Sequence, residues 1–244
     1  MRPLEDSYPE IRFGGFSSVD GTVAFYSRVN ALLQPEAVVL DVGCGRGLGS
    51  EDPVPFRRRL RTLRGKCRRV IGIDLSPEGE RNPGLDEFRL IDGPDRPWPV
   101  PSASIDLCLA DHVLEHVGDP DAFLAECRRA LRPGGCLCVR TPNALSYAGA
   151  AARLIPNRLH ARVLRRIQPE RKEEDVFPTC LACNTAGRLR RALARHGFDA
   201  CVCGHEDEMS YLAFSRPAFA AGRLIRAVTP AAFRSILFGF GRKR

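Results

Sequence analysis

The chain has 244 residues, 44% hydrophobic and 27% charged, enough apolar material for one α/β domain with a sizeable core. Its 37 basic and 29 acidic residues leave a net charge of +8, which permits an anionic partner without requiring one. No run of about 18 apolar residues and no signal-peptide pattern is present, so a cytoplasmic protein whose ten cysteines are reduced is expected.

Residues 1–18, rich in proline, glycine, serine and charge, read as an irregular N-terminal arm. From Val19 the pattern changes. Val23, Tyr26, Val29, Leu32 and Leu33 share one helical face, with Asp20 as N-cap and Pro35 as the stop. The stretch Val38-Val39-Leu40-Asp41-Val42-Gly43-Cys44-Gly45-Arg46-Gly47 then organises the chain. A run of apolar residues reads as a strand buried on both faces, and the glycines after it let the backbone turn sharply and approach a ligand. A dinucleotide fingerprint is excluded, because G-x-G-x-x-G would need glycine where Leu48 stands.

A helix follows between Pro53 and Gly65, with Phe56, Leu60 and Leu63 as its apolar stripe. Eight of the thirteen residues 57–69 are basic. With no interleaved aromatic except Phe56, they read as a solvated face in preference to a phosphate grip. The second strand, Val70 to Ile73, closes on Asp74, where a carboxylate can accept both ribose hydroxyls or cap the following Ser76-Pro77. Residues 76–88 leave room for only a poor helix, and Phe88 to Asp92 read as a third strand.

Strand four, Ile105 to Ala110, runs into Asp111-His112-Val113-Leu114-Glu115-His116. His112 and His116 share a face if this turn is helical. The order H-V-L-E-H is not H-E-x-x-H, so metal is not expected, and accepting a proton from a hydroxyl is the better role. His116 is the first candidate base and His112 the second, against a core role for His116. Asp119-Pro120 opens a helix carrying Phe123, Leu124, Cys127 and Leu131, and Cys136 to Arg140 form strand five. Asn184-Thr185 caps a helix ending at Gly197, followed by strands at Phe198–Cys203 and Met209–Ser215. Cys180 and Cys183 with Cys201 and Cys203 have imperfect zinc spacing, and no metal is expected there either.

The segments D-V-G-C-G-R-G, G-I-D, D-H-V-L-E-H-V and L-R-P-G-G, in that order, with Thr141-Pro142-Asn143 after strand five, carry a resemblance. Over about residues 20–215 the chain is similar to the class I S-adenosylmethionine-dependent methyltransferases, of the bacterial small-molecule, type 11/23-like kind. That resemblance implies a doubly wound, Rossmann-like α/β fold, with a seven-stranded sheet in the order 3-2-1-4-5-7-6 and helices on both faces. It implies S-adenosyl-L-methionine as cofactor, held by Asp41, Gly43, Cys44, Gly45, Asp74, Leu75, Asp92, Gly93 and Asp111. Asp92 is then expected at the adenine amino group and Asp111 toward the methionine end.

The expected organisation is an arm at 1–18, a methyltransferase domain at 19–215 with an acceptor lid inserted at about 142–184, and a basic amphipathic extension at 216–244. Tyr147, Asn157, His160 and Arg171 are the lid's candidate contacts. The N-P-P-Y or D-P-P-Y sequence that resembles an amine clamp is absent, since Ala110-Asp111-His112-Val113 stands in its place. The expected acceptor is therefore a small hydroxylated or lipid-linked metabolite, methylated on oxygen. An RNA methyltransferase and a non-catalytic cofactor-binding protein are the alternatives, nucleic acid being the less favoured partner. The tail, with seven basic residues and no acid, is read either as a contact with an anionic bilayer or as two packed helices.

Overall fold

A computed structural model describes residues 2–147, 149, 179–209, 212 and 215–244. The candidate contacts Asn157, His160 and Arg171 lie outside the described residues. Helices α1 (Arg2–Ser7), α2 (Gly21–Leu32), α3 (Pro55–Arg61), α4 (Pro120–Ala130), α5 (Ala186–Arg195) and α6 (Arg216–Val228) surround one sheet. Its strands are β1 (Val38–Val42), β2 (Arg69–Asp74), β3 (Glu87–Leu90), β4 (Ile105–Asp111), β5 (Leu131–Pro142), β6 (Phe198–His205) and β7 (Ile236–Lys243). The order is β3-β2-β1-β4-β5-β7-β6, with β7 antiparallel to both its neighbours and the other pairs parallel. This is the fold class and strand order that the sequence implied.

Alternation along the central strands distributes the core. Leu40 and Val42 of β1 and Cys108 and Ala110 of β4 join Leu124, Cys127, Leu189 and Leu193 on the face covered by α4 and α5. Val39, Leu107 and Leu109 point to the opposite face, against Phe25, Tyr26 and Val29 of α2. Asp20 caps α2, accepting the Val23 N–H at 2.9 Å, and Asp119 caps α4.

The arm is more regular than expected. It forms α1 and a single 3-10 turn at Pro9–Arg12, and Tyr8 meets Phe219 of α6 edge-on at 6.4 Å. The helix expected from Pro53 to Gly65 is confined to α3, where the chain turns out after Arg61. Half of the basic run beside it is paired with carboxylates within the fold. Arg57 and Arg61 pair with Asp52, Arg57 also with Asp20, Arg64 with Asp86 and Arg69 with Glu87.

The largest correction concerns the seventh strand. Of the expected strand Met209–Ser215, residues 210, 211, 213 and 214 lie outside the described residues, Met209 is buried in a left-handed conformation, and the seventh place in the sheet is filled from further along the chain. The strand is β7, so the last third of the supposed extension is part of the sheet. The tail forms one helix and one strand, not two helices. Ile236, Phe238 and Phe240 of β7 face α2, with Phe25 ring centres 5.3 Å and 5.8 Å from Phe238 and Phe240. On the other face Gly239 and Gly241 leave room for Leu189 and Phe198, which lie 3.2 Å from where a Cβ would stand. The alternation Phe-Gly-Phe-Gly was therefore the strand signal.

Replacing Phe238 with Ala is expected to cost about 3–5 kcal/mol, read by chemical denaturation, because it empties the centre of the α2 face. A loss below about 1 kcal/mol would return 236–243 to the status of an appendage.

Candidate functional site

The carboxyl ends of the parallel strands form the crevice. After β1 the chain turns through Gly43, Gly45 and Gly47, all at positive φ. Gly43 has a second reason to be glycine, because a Cβ there would meet Val113 Cγ2 at 2.6 Å. The segment after β4 thus packs directly on the glycine loop. Above Gly45 nothing lies within 4 Å of a Cβ position, which leaves an open cradle of backbone.

Asp74 closes the cradle from β2. One carboxylate oxygen accepts the Gly45 N–H and the other the Ser76 N–H, both at 2.8 Å. Each oxygen keeps a second lone pair for a ligand hydroxyl. Leu75, 54% exposed, stands next to it as an apolar platform. Leu90 of β3 pairs with Asp74 and the Ile91 N–H donates to its carbonyl, so exposed Asp92 and half-buried Gly93 emerge at the same rim. Asn82 holds the loop from beneath, its amide donating to the carbonyls of Cys44 and Gly45 at 2.9 Å and 3.2 Å. Sequence reasoning missed Asn82, seeing only a helix-poor stretch. The Cys44 thiol is pushed up by burial, with the nearby Asp41 and Asp74 charges adding to it, and stays protonated.

Asp41 has no hydrogen-bond donor among the described residues. Burial and the neighbouring Asp111 push its carboxyl up to about 7. An acid so placed either keeps its proton or takes a donor from a ligand. Asp111 is engaged differently from the expectation. Its oxygens accept from Arg140 Nε at 2.5 Å, from Arg140 Nη2 at 2.7 Å and from the Tyr26 hydroxyl at 2.8 Å. It is tied into the fold, whereas Asp41 is the acid of this pair with no donor among the described residues.

His112 and His116 do not share a helical face. His112 is left-handed (φ 59°), and only Leu114–His116 make a 3-10 turn. His112 Nδ1 lies 3.0 Å from Glu115 Oε1, and its ring is 45% exposed. Glu115 is buried, and its other oxygen accepts the Thr141 hydroxyl at 2.9 Å, which in turn accepts from the Asn184 amide at 2.6 Å. Burial raises the Glu115 carboxyl, but the hydrogen bond and charge of His112, with Thr141, outweigh it and take it below its ordinary range. An ionised Glu115 can only accept, so Nδ1 of His112 is the donor of that hydrogen bond and Nε2 takes no part in it. His116 is half-buried in the turn, and its carbonyl faces the Cys180 thiol. Among the described residues no group of three or more His, Cys, Asp or Glu is placed to hold a metal.

Residues 40–139 match a family model described as a methyltransferase domain. A probable S-adenosylmethionine-dependent methyltransferase of Mycolicibacterium smegmatis is 34% identical over 45% of this chain and 40% of its own length. A ubiquinone biosynthesis O-methyltransferase of Xanthomonas oryzae pv. oryzae is 37% identical over 51% and 54%. The crystal structure of an S-adenosylmethionine-dependent methyltransferase from Archaeoglobus fulgidus superposes with a TM-score of 0.51, at 19% identity, over 96% of this chain and 97% of that one. This last likeness is one of fold. The chain spans about half the length of the curated relatives it matches. Residues 40–139 thus carry the likeness of a methyltransferase domain, in a sheet whose strand order is the one that the class I resemblance implied.

The cofactor of this domain is S-adenosylmethionine, and the residues fit it. The open backbone at Gly45 and the acceptor Asp74 suit a nucleoside, Leu75 suits an adenine face, and Asp41 suits an ammonium group. Ionised Asp41 is required for that last contact, so binding releases its proton when the pH is below about 7. Affinity for the demethylated cofactor is therefore expected to rise about tenfold between pH 6 and pH 8 and then to level off. Calorimetry at a series of pH values reads this, and Asp41→Asn should flatten it.

Proposed function

We propose that this protein transfers a methyl group from S-adenosylmethionine to the oxygen of a small hydroxylated or lipid-linked metabolite. The bound cofactor supplies an already activated methyl, so the chain has to align the acceptor, exclude water and remove the hydroxyl proton. The observation that carries the reading is the Thr141–Glu115–His112 relay at the end of β4. It turns Nε2 of His112 into a proton acceptor beside the glycine loop, with Glu115 as a positioning residue. The geometry favours His112 over His116, whose turn is packed against residues 180 and 181 through the Glu115 carbonyl. The likeness to an O-methyltransferase supports oxygen as the acceptor atom. Pairing of the basic run with Asp20, Asp52, Asp86 and Glu87 weakens the RNA alternative.

With labelled cofactor and cell extract as the acceptor source, His112→Gln should lower transfer at least 100-fold while affinity for the demethylated cofactor is unchanged. His116→Gln should retain transfer. Glu115→Gln should lower transfer, because it removes the ionised acceptor that orients the His112 ring. Full transfer by His112→Gln would remove the base assignment. No transfer by the wild-type protein into any extract would leave the non-catalytic reading.

The tail supports a peripheral contact with an anionic bilayer. No described helix is long and apolar enough to cross a membrane. α6 packs inward through Phe219 and Gly222, while Leu224 and Val228 on its outer side are 68% and 70% exposed, with Ile225 exposed beside them. Arg216 and Arg223 are exposed on its flank, and the stretch 216–244 holds no acid. Sedimentation with phosphatidylglycerol vesicles should carry the wild-type protein down and leave Leu224→Ser/Val228→Ser in solution. Equal sedimentation of both would dismiss the contact.

A further inference from the structure

Outside the crevice, one cavity brings together charges that the methyl-transfer chemistry does not use. It measures about 390 Å³ and is lined by His205, Glu206, Arg226, Ala227 and Arg234. The two arginines come from separate elements, α6 and the turn before β7. Among the described residues neither has a carboxylate partner. Arg226 Nε donates to the Glu206 carbonyl at 3.4 Å, and Arg234 Nη1 donates to the Gly204 carbonyl at 3.2 Å.

The acid in the cavity is engaged elsewhere. Glu206 is buried, with one oxygen accepting the Tyr147 hydroxyl at 3.3 Å and the other the Ser235 N–H at 3.0 Å. His205 stacks on Phe238 at 4.9 Å, and its Nε2 meets the Val19 carbonyl at 2.9 Å. Burial takes the imidazole below its ordinary range, and Arg226 and Arg234 add to that, so it brings no positive charge at neutral pH. Two guanidinium forks therefore face a concave space with most of their donors unspent, the arrangement that recognises a phosphate.

Its position connects it to the acceptor. His205 ends β6, opposite Ile236 of β7, which is itself opposite Pro142 of β5, so the cavity opens at the same end of the sheet as the crevice. α2 spans both, since Val19 just before it touches His205 and its Tyr26 touches Asp111. From β4 to β6 there are three strand spacings, about 14 Å.

We infer that the cavity between Arg226 and Arg234 seats a phosphate group of the methyl acceptor, about 14 Å from the hydroxyl that is methylated. This rests on the methyltransferase reading and narrows the acceptor to an elongated molecule with phosphate at one end, either soluble or part of a lipid headgroup. Tyr147 then joins the seat indirectly, by donating to the Glu206 carboxylate.

The test uses the full chain with inorganic pyrophosphate as the calorimetric probe, and with phosphatidic acid against phosphatidylcholine vesicles in sedimentation. Wild-type protein should bind pyrophosphate, phosphatidic acid vesicles, or both. Arg226→Gln/Arg234→Gln should weaken that binding at least tenfold, and Arg226→Lys/Arg234→Lys should restore part of it. Binding of pyrophosphate alone identifies a soluble phosphorylated acceptor, and binding of phosphatidic acid vesicles a lipid-linked one. Absence of both, or binding that the Gln pair leaves unchanged, overturns the seat. Affinity for the demethylated cofactor, measured on the same samples, reports that each variant is folded. It also separates the two readings: cofactor uptake without phosphate binding defeats only the seat, and phosphate binding without cofactor uptake defeats only the methyltransferase.

Discussion

The buried pair of Asp111 and Arg140 is the interaction on which the functional end of the sheet depends. Arg140 is 5% exposed, and besides its two bonds to Asp111 it donates to the Thr22 hydroxyl at 3.0 Å. Its guanidinium lies 5.4 Å and 5.6 Å from the ring centres of Phe25 and Tyr26. Taking two charges out of water is unfavourable unless each is fully matched, and here β4, β5 and α2 converge to match them. Burial alone would raise the Asp111 carboxyl, but the Arg140 charge and hydrogen bonds hold it well below the usual carboxylate range. With its folded pKa lowered, Asp111 contributes stability at neutral pH and loses it as acid protonates the native state.

That lock has chemical consequences on both sides. Toward β1 it places a permanent negative charge near Asp41, which helps to keep that acid protonated until a cation arrives. Toward β5 it aligns the strand so that Thr141, next after Arg140, reaches Glu115 and through it His112. The Gly45 cradle and His112, the proposed proton acceptor, therefore stand on one junction of hydrogen-bonded strands instead of on independent loops. A binding site built from strand ends keeps its geometry because the strands are hydrogen-bonded to one another.

Much of this was legible in the chain. The apolar run before Gly43 named the first strand, and Asp74 followed from the next run. Asp20, Asp119 and Thr185 announced the helices they cap. What was illegible has specific causes. The Phe-Gly alternation of 238–241 looks like an amphipathic tail until Leu189 and Phe198 are seen to fill the places where side chains are missing. Asn82 gave no signal, because its partners are the carbonyls of Cys44 and Gly45, more than thirty residues earlier. The pair His112 and His116 misled because a left-handed residue breaks the helical spacing between them.

By itself the sequence determined the α/β class, the glycine loop, the places of the first five strands along the chain and the acids that close β1 and β2, while the order of those strands in the sheet came only through the family resemblance. Each of these is set by residues within a few positions of one another, through periodicity, glycine's freedom and capping. Only the tertiary structure decided that Asp111 belongs to Arg140, that Glu115 orients His112, that residues 236–243 complete the sheet and that two arginines share a cavity. Those outcomes depend on contacts between groups distant in the chain. Local pattern carries no record of which buried charge will find which partner; burial imposes that choice when the strands come together.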